Sequence, residues 1–466
     1  MFLNRTRELK WLAEQHESGE AELLVLYGRR RTGKSALLRE FCRDRPHVYF
    51  LASQVREPDN LDQFRQALAA AHPDPVLESM RFNSWDTALA YVTQLAAGRR
   101  FVIVLDEFPY LCQGNPALPS LLQRWWDTAG RSSQIMLVLC GSQISFMERD
   151  VLAERSPLFG RRTGQTQLRP LLPWDAPLFF PSWSVRDRLS AYGMLGGIPA
   201  YLERLDAGQT LKSNLMREAL TPQGFLYDEV TFLLRTELTE VATYLSVLKA
   251  VAGGATRLTE IAGRSAVPAT AASRYLGILR ELGLVRRDVP FTEPRPEKSK
   301  RGVYVIADPF VSFWCRFILP YQSLIQAGQG QTVWREFIRP QLDTHLGFIF
   351  EEVCRQYVLH RWGDAHGEAP VRVGRTWAAD HDVDVAADLR SGSRRRLLVG
   401  ECKWWRRPVG GNVLGELRRK AGQLAVPAGG ELQLALFSLS GFTPELRAAA
   451  EHEGVILVSA ADILAG

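Results

Sequence analysis

The sequence predicts an α/β protein of several domains, and three features of the 466-residue chain predict it. Short apolar runs alternate with helical segments over the first 150 residues. From about residue 176 to 240 these runs disappear and helical patterns replace them. From about residue 340 a helix, three strands, a helix and two more strands are expected, so the chain carries a second and different α/β domain.

Composition and charge limit the classes of function. Apolar residues make up 46% of the chain and charged residues 23%, which is typical of a globular protein and excludes disordered, collagen-like and coiled-coil classes. The net charge of +6 permits a nucleic-acid partner without requiring one. The six cysteines form no CxxC pair, so we expect no structural zinc site and no disulfide framework. No apolar run approaches the ~20 residues that cross a bilayer. We therefore expect a cytoplasmic protein without membrane insertion.

Four apolar runs define the first predicted domain, which covers residues 1–175. They are ELLVLYG (22–28), HVYFLAS (47–53), FVIVLDE (101–107) and IMLVLCGS (135–142). Continuous runs of this kind are typical of strands buried on both faces, and the spacers between them are long enough for crossover helices. We predict a parallel sheet.

A phosphate-binding motif follows the first of these runs. The segment GRRRTGKS (28–35) matches GxxxxGK[ST] and precedes the helical run ALLREFC. Backbone N–H groups of such a loop surround phosphates, the lysine contacts the β- and γ-phosphates, and the serine hydroxyl binds Mg²⁺. A glycine turn with an exposed lysine is the alternative. We predict ATP and Mg²⁺ as cofactors, held by Gly28, Arg31, Thr32, Gly33, Lys34, Ser35 and Ala36.

Polar residues follow two other strands of the same sheet. FVIVLDE ends in Asp106 and Glu107. Asp106 is expected to hold Mg²⁺, while Glu107 is placed to polarise the attacking water. Ser142 and Gln143 end the next strand and are candidates to sense the γ-phosphate. A simple turn at the end of a strand is the alternative for Ser142.

The segments GRRRTGKS, VLDEFPYL, LCGS and SPLFGRRTGQTQLRPL, with the opening FLNRTRELKWL, resemble archaeal-type AAA ATPases, relatives of the signal-transduction P-loop ATPases. The resemblance covers the N-terminal half and implies a P-loop NTPase domain with a helical lid at residues 176–240. It also implies that Phe2, Asn4, Arg5 and Glu8 lie near the adenine or its supporting shell. The GxP motif that ends at Pro199 is expected to approach the nucleotide from the lid.

Arg161 and Arg162 in FGRRTG can supply positive charge to the phosphoryl transition state, within the chain or from a neighbouring subunit. A solvated basic loop is the alternative. If Arg161 acts between subunits, hydrolysis requires a homo-oligomer formed through this domain.

A winged-helix domain and a linker are predicted at residues 241–335, with the winged-helix layout over about 240–310. A first helix, the short helix LTEIAGRS and a third helix from near Thr270 to Leu282 precede a basic hairpin that ends in RGVYVIADP. The third helix presents Thr270, Ser273, Arg274 and Tyr275 to DNA, and the wing presents Lys298, Lys300 and Arg301 to its backbone. Packing within the chain as an internal switch is the equal alternative.

Residues 336–466 carry a cluster of carboxylates. Strand alternation places Asp382 and Asp384 on one face of a strand, and Glu401 and Lys403 on one face of the next. Carboxylates bind a hard divalent cation that polarises a phosphodiester, while a lysine orients the attacking water. A surface ladder of salt bridges is the alternative.

The carboxylate pattern resembles the PD-(D/E)xK core of restriction-endonuclease-like nucleases. The resemblance implies that Asp384 and Glu401 bind metal, that Lys403 is catalytic, and that Glu351 in GFIFEE adds a further metal-site acid. Mg²⁺ is the expected metal and Mn²⁺ a substitute. Val383 stands where the motif has its proline. A basic helix (LRRK, 417–420) and a basic, aromatic rim are expected nearby, the rim formed by Arg394, Arg395, Arg396, Trp404, Trp405, Arg406 and Arg407, with solvated loops as the alternative.

These predictions combine into a P-loop ATPase that acts on DNA, with a metal-dependent nuclease domain under nucleotide control. Two alternatives remain at this point. One is an ATP-switched binding or signalling protein whose C-terminal domain does not cleave. The other is a DNA-binding regulator whose oligomeric state depends on ATP.

Overall fold

A computed structural model describes residues 3–426 and 430–465 of the chain. These residues form two compact units, one made of the residues up to 170 with 198–200, the other of residues 171–197 with those from 201 onward. Phe2 lies outside the described residues. The finer division predicted from the sequence, with boundaries at residues 175, 240 and 335, stays a prediction.

The first unit contains a five-stranded parallel sheet in the order β2-β3-β4-β1-β5. Its strands are β1 (Glu22–Tyr27), β2 (His47–Leu51), β3 (Phe101–Asp106), β4 (Ile135–Gly141) and β5 (Gly164–Gln167). Every residue of β1, β3 and β4 is buried, as the apolar runs predicted. Strand β5 was not predicted, because its four residues, GQTQ, contain no apolar run.

Helices cover this sheet. They are α1 (Thr6–Glu17), α2 (Lys34–Cys42), α3 (Glu57–Ala71), α4 (Pro75–Ser79), α5 (Trp85–Leu95), α6 (Phe108–Gly114), α7 (Leu118–Thr128) and α8 (Ile144–Phe146), with shorter helical turns at Gly130–Ser132 and Met147–Leu152. Leu12 of α1 and Leu38 and Phe41 of α2 share one buried core with alternate residues of β1, β3 and β4. This packing fixes the start of α2 next to the end of β1.

The second unit begins with helices. They are α9 (Val185–Leu195), α10 (Pro199–Leu202, whose first two residues belong to the first unit), α11 (Leu211–Glu218), α12 (Glu229–Glu237), α13 (Val241–Ala252), α14 (Leu258–Ser265) and α15 (Ala269–Glu281). A two-stranded antiparallel hairpin follows, formed by β6 (Val285–Asp288) and β7 (Val303–Ile306). Three helices and a hairpin are the element order that the sequence predicted for residues 241–335.

More helices lead into the C-terminal sheet. They are α16 (Pro309–Phe313), α17 (Gln322–Gln326), α18 (Gly330–Thr332) and the long α19 (Arg339–His366). Short helical turns lie at Ala176–Phe179, Pro296–Lys298, Trp314–Ile318, Leu319–Tyr321 and Val333–Ile338.

The C-terminal sheet has five strands in the order β12-β11-β10-β9-β8. They are β8 (Ala369–Trp377), β9 (Asp382–Ser391), β10 (Arg394–Lys403), β11 (Glu431–Ser438) and β12 (Ile456–Ser459), with α20 (Gly411–Ala421), α21 (Pro444–Glu453) and α22 (Ala460–Ala465). Strands β8, β9 and β10 pair antiparallel, whereas β10, β11 and β12 pair parallel. The predicted element order contains no helix between the last two strands. Helix α21 is that missing crossover, which a parallel pair requires.

No helix in the described ranges is both long enough and apolar enough to cross a membrane.

Candidate functional site

The predicted phosphate loop joins β1 to α2. Gly28 and Gly33 have φ angles of 152° and 93°, which glycine adopts without strain. A Cβ atom on Gly28 would lie 2.4 Å from the backbone oxygen of Leu168, so no larger residue fits there. Within the described chain no side chain caps the start of α2. The first N–H groups of this helix, including those of Ser35 and Ala36, are therefore suited to an anion.

Lys34 lies inside the curve of the loop. Its side chain is buried, and its Nζ donates to the backbone oxygens of Gly28 at 2.8 Å and Arg29 at 2.9 Å. The Thr32 hydroxyl donates to the Arg29 oxygen at 2.8 Å, and Arg5 Nη2 donates to the Thr32 oxygen at 2.9 Å. Arg5 thus braces the phosphate loop itself, and Arg31 holds a left-handed backbone (φ 69°) within it.

Oxygen donors suited to Mg²⁺ meet beside the loop. Ser35 Oγ donates to Asp106 Oδ2 at 2.6 Å, and the Tyr49 hydroxyl donates to the same oxygen. The second oxygen, Oδ1, accepts from the Glu107 N–H at 3.0 Å. Burial and the adjacent Asp106 carboxylate raise the pKa of Tyr49, so its hydroxyl keeps the donated proton. A hydroxyl next to a buried carboxylate is a donor set that fits Mg²⁺.

Glu107 stands at the end of β3 next to Ser142 at the end of β4. Its φ angle of 54° is rare for a residue with a side chain. Ser142 Oγ donates to Glu107 Oε2 at 2.8 Å, which fixes the direction of the carboxylate. The structure therefore brings these two predicted residues together.

Pro199 and Arg161 occupy different places relative to the loop. A Cβ atom built on Gly33 would lie 3.9 Å from Pro199 Cγ, so Pro199 lies beside the loop. Arg161 forms an ion pair with Asp127 at 2.9 Å. The register pairs Leu24 with Gly164, so Arg161 lies near the start of β1, about 20 Å along the strand from the loop. This position does not fit a role of Arg161 at the phosphate loop of its own chain. Its role at the phosphate loop of a neighbouring subunit stays a prediction.

The predicted carboxylates of the second unit lie on neighbouring strands. Gly400 pairs with Val385, and continuing this register sets Glu401 beside Asp384. Asp384 Oδ2 accepts the Cys402 N–H at 2.8 Å. Burial raises the pKa of Asp384, and the charge of Glu401 raises it further. The two carboxylates therefore repel each other in a site from which water is largely excluded.

Two lysines neutralise Glu401. Lys403 Nζ donates to Glu401 Oε1 at 2.7 Å. Lys420, near the end of α20, donates to Oε1 at 3.0 Å and to Oε2 at 2.8 Å. Glu401 is 4% exposed, so these contacts lie in a buried environment.

Glu351 and Arg355 of α19 also lie near Asp384. Burial raises the pKa of Glu351, and the Asp384 charge acts in the same direction. Arg355 Nη1 donates to the Asp384 backbone oxygen at 2.7 Å and lies 3.8 Å from Glu351. Arg355 therefore holds the segment that carries Asp384.

The oxygen donors of this cluster suit a hard divalent cation, but they are not assembled around one. Among the residues that the structure describes, no three His, Cys, Asp or Glu side chains converge as a metal site. Both carboxylate oxygens of Glu401 accept hydrogen bonds from ammonium groups. A cation that uses Glu401 must therefore compete with these lysines.

Helix α15, the third helix of the predicted winged helix, presents only part of the predicted DNA surface. Thr270, Ser273 and Arg274 are exposed. The prediction for Tyr275 is wrong, because its ring is buried against Tyr244 and its hydroxyl donates to Glu240. Tyr275 closes the core of this segment instead.

The hairpin packs on the edge of the C-terminal sheet. The Phe291 N–H donates to the Arg375 oxygen of β8 at 2.8 Å, and Arg375 forms an ion pair with Asp288 at 3.0 Å. Arg301 donates to the Trp377 oxygen, so its predicted DNA contact is replaced by a contact within the unit. Lys298 and Lys300 remain exposed.

The predicted basic and aromatic rim is not one surface. Arg394 begins β10 and Glu401 lies near its end, so the arginines at 394–396 lie about 20 Å along the strand from the carboxylates. Trp404 is buried against Phe350, which makes it part of the core. Trp405 is half-buried, and the Arg407 guanidinium lies 5.4 Å from its ring centre.

The chain is similar to archaeal proteins over most of its length. Residues 2–205 match a family described as an ATPase domain predominantly from Archaea. An uncharacterised protein of Methanocaldococcus jannaschii is 33% identical over 407 residues, which cover 87% of this chain and 88% of that protein. The chain belongs to the family of this archaeal protein. An uncharacterised ATP-binding protein of the same organism is 46% identical over 41 residues, 9% of this chain and 70% of that protein.

Two further families match later parts of this chain. Residues 244–289 match an IclR helix-turn-helix domain, and residues 314–412 match a family of archaeal and bacterial proteins of unknown function. A Walker-type ATPase of Pyrococcus abyssi is 21% identical, with 68% of this chain and 96% of that chain covered and a TM-score of 0.49. The ORC2 protein of Aeropyrum pernix is 16% identical, with coverages of 70% and 95% and a TM-score of 0.47.

Two side-chain contacts of these sites, those of Tyr49 and Lys420, were not predicted from the sequence. Tyr49 lies within a strand with no motif around it, and only the pairing of β2 with β3 brings it to Asp106. Lys420 was predicted as part of a basic helix, but its distance of 19 residues from Glu401 gave no sign of contact.

We expect Tyr49→Phe to raise the Mg²⁺ concentration for half-maximal ATP hydrolysis and to lower kcat about tenfold. The lost hydrogen bond to a charged group is worth about 1.5 kcal/mol, and each 1.4 kcal/mol is tenfold in rate. ATP affinity without Mg²⁺ should not change. Steady-state kinetics across an Mg²⁺ titration measures the effect.

Tyr91→Phe is the matched control for this substitution. Its hydroxyl also donates to an aspartate, Asp74, but in a part of the first unit that carries none of the predicted nucleotide-binding residues. If both variants need the same Mg²⁺ concentration for half-maximal ATP hydrolysis, the hydrogen bond from Tyr49 to Asp106 has no part in Mg²⁺ binding, and the prediction is wrong.

Proposed function

We propose that this protein binds and hydrolyses ATP with Mg²⁺ in the first unit and acts on DNA through the second. The observation that supports ATP hydrolysis best is the grouping of Lys34, Ser35, Asp106 and Glu107 around one loop, in a domain of the archaeal ATPase family. Each of these residues has a separate chemical task.

The residues of the first unit divide those tasks as follows. Lys34 turns from the backbone oxygens of Gly28 and Arg29 to the β- and γ-phosphates. Ser35 and Asp106 hold Mg²⁺, which supplies charge neutralisation for the phosphates when bound. Glu107 accepts a proton from the attacking water, and Ser142 keeps its carboxylate aimed.

DNA is the proposed partner of the second unit. The IclR-type helix-turn-helix match and the exposed Thr270, Ser273 and Arg274 support it. Lys298 and Lys300 add exposed positive charge on the hairpin, which favours the phosphate backbone.

We further propose that the carboxylate cluster hydrolyses a DNA phosphodiester with a divalent cation. Asp384, Glu401 and Lys403 lie together on neighbouring strands, and Glu351 approaches from α19. In this role Asp384 and Glu401 bind the cation, Lys403 orients the attacking water, and nucleotide state controls access to DNA.

A second candidate function has its own support. Both oxygens of Glu401 are engaged by ammonium groups, which is how a cleavage-inactive domain would also neutralise a buried carboxylate. In that case the protein is an ATP-switched DNA-binding or signalling protein.

One experiment separates these proposals. The full chain is incubated with single-stranded, duplex and branched DNA, with and without ATP and with Mg²⁺, Mn²⁺ or EDTA. The first proposal predicts metal-dependent products that ATP increases or suppresses. ATP-dependent binding without products in any condition would leave the second candidate, and neither binding nor cleavage would exclude both.

A further inference from the structure

Lys420 makes closer contact with Glu401 than a surface lysine would. It stands in the last turn of α20, yet its side chain is only 17% exposed and its Nζ contacts both carboxylate oxygens. Its neighbours Arg418 and Arg419 on the same helix are exposed. The helix therefore directs one of its three cations into the carboxylate cluster.

The charges of the cluster show what this contact does. Lys403 and Lys420 both donate to Glu401, and both also act on Asp384. Two ammonium groups thus balance the two facing carboxylates without any metal ion. A divalent cation at Glu401 would bring two more positive charges and would need carboxylate oxygens that the lysines now occupy, which favours the departure of one ammonium group.

Lys420 is better placed to leave than Lys403. Lys403 lies on β10 two residues from Glu401, and its Nζ lies 5.5 Å from the Trp405 ring centre. Lys420 reaches the carboxylate from a separate element, near the end of a helix, on a flexible four-carbon stem. Rotation of that stem frees Glu401 Oε2 and leaves Oε1 with Lys403 alone, without moving the strand.

We propose that Lys420 is a further active-site residue, which occupies the cation position of Glu401 in the metal-free state and contacts the scissile phosphate once a cation displaces it. This inference rests on the proposed phosphodiesterase function. It assigns one side chain two opposite effects, since Lys420 weakens metal binding and promotes cleavage.

Lys420→Met tests this because a merely structural lysine would not produce opposite effects. The probe is Mn²⁺ alone, titrated calorimetrically into the full nucleotide-free chain, with Asp384→Asn identifying the signal of this site. We expect Lys420→Met to bind Mn²⁺ at least tenfold more tightly and to cleave DNA at least tenfold more slowly. Lys420→Arg keeps the charge and should stay near the wild-type Mn²⁺ affinity.

Arg419→Met is the matched control, since it removes a neighbouring exposed cation from the same helix. It should change neither Mn²⁺ affinity nor cleavage at this site. Unchanged or weaker Mn²⁺ binding in a folded Lys420→Met protein overturns the inference while the proposed function stands. If Mn²⁺ binding is the same in the wild type and Asp384→Asn, the proposed metal site fails, and the role of Lys420 fails with it.

Discussion

Replacing Lys34 by alanine is expected to weaken ATP binding at least 100-fold and to reduce ATP hydrolysis below detection. The ammonium lies within the curve of the phosphate loop, 2.8 Å and 2.9 Å from two backbone oxygens that it would exchange for phosphate oxygens. Loss of two charge-assisted hydrogen bonds costs about 3 kcal/mol or more, which is about 100-fold in affinity. Calorimetric titration with ATP and a phosphate-release assay measure the two effects.

Lys10→Ala is the matched control for that substitution. Lys10 is an exposed lysine of α1 in the same unit, paired with Glu14 at 3.8 Å, and its loss should leave both measurements unchanged. Circular dichroism shows whether each variant is folded. Normal ATP hydrolysis by a folded Lys34→Ala protein would mean that the loop does not bind the triphosphate, and the proposed function of the first unit would then be wrong.

The first unit was largely predictable because its signals are local. Three of its strands are buried over their whole length, and a continuous apolar run records such burial directly. The phosphate loop is a contiguous motif. Strand β5 and Tyr49 were not predictable, since one is a short polar edge strand and the other acts through a contact 57 residues away.

The second unit was predictable in its element order but less so in the use of its side chains. Strand alternation has a fixed period of two, so it predicts the face of the strand on which Asp384 and Glu401 each lie. The register between β9 and β10 then sets the two residues side by side. Exposure has no such local signature: Tyr275 and Trp404 carry polar groups suited to nucleic acid, yet both are buried. Which face of an element is covered depends on its packing partner, and the sequence of the element alone does not contain that information.

The hairpin shows how this packing limits the DNA-binding hypothesis. Arg286 of β6 contacts Glu352 of α19 at 2.9 Å, and Glu352 in turn contacts Arg355, which holds the Asp384 backbone. An unbroken series of ion pairs and hydrogen bonds thus links the helix-turn-helix segment to the carboxylate cluster. This arrangement favours packing within the chain, and not DNA contact, as the role of the hairpin. DNA contact is then left to the exposed start of α15.

Glu401→Gln is expected to abolish DNA cleavage, with a loss of at least ~1000-fold, because several kcal/mol of metal-derived stabilisation disappear with the carboxylate. The amide keeps the shape of the side chain but leaves Lys403 and Lys420 without their shared negative partner. Lys403→Ala should cause a comparable loss while Glu401 keeps Lys420. Plasmid nicking with Mg²⁺ or Mn²⁺ measures both.

Stability must be separated from chemistry in these variants, since removing one partner of a buried ion pair costs about 3–5 kcal/mol. Glu431→Gln is the matched control: this carboxylate lies on the adjacent strand β11, is 59% exposed and pairs with Arg396 at 2.9 Å. Thermal melts of all three variants show how much fold is lost, and ATP hydrolysis reports on the first unit. Cleavage that persists in folded Glu401→Gln and Lys403→Ala proteins would place the nuclease chemistry elsewhere. Loss of cleavage in both variants, with melting and ATP hydrolysis retained, would assign that chemistry to the facing strands β9 and β10.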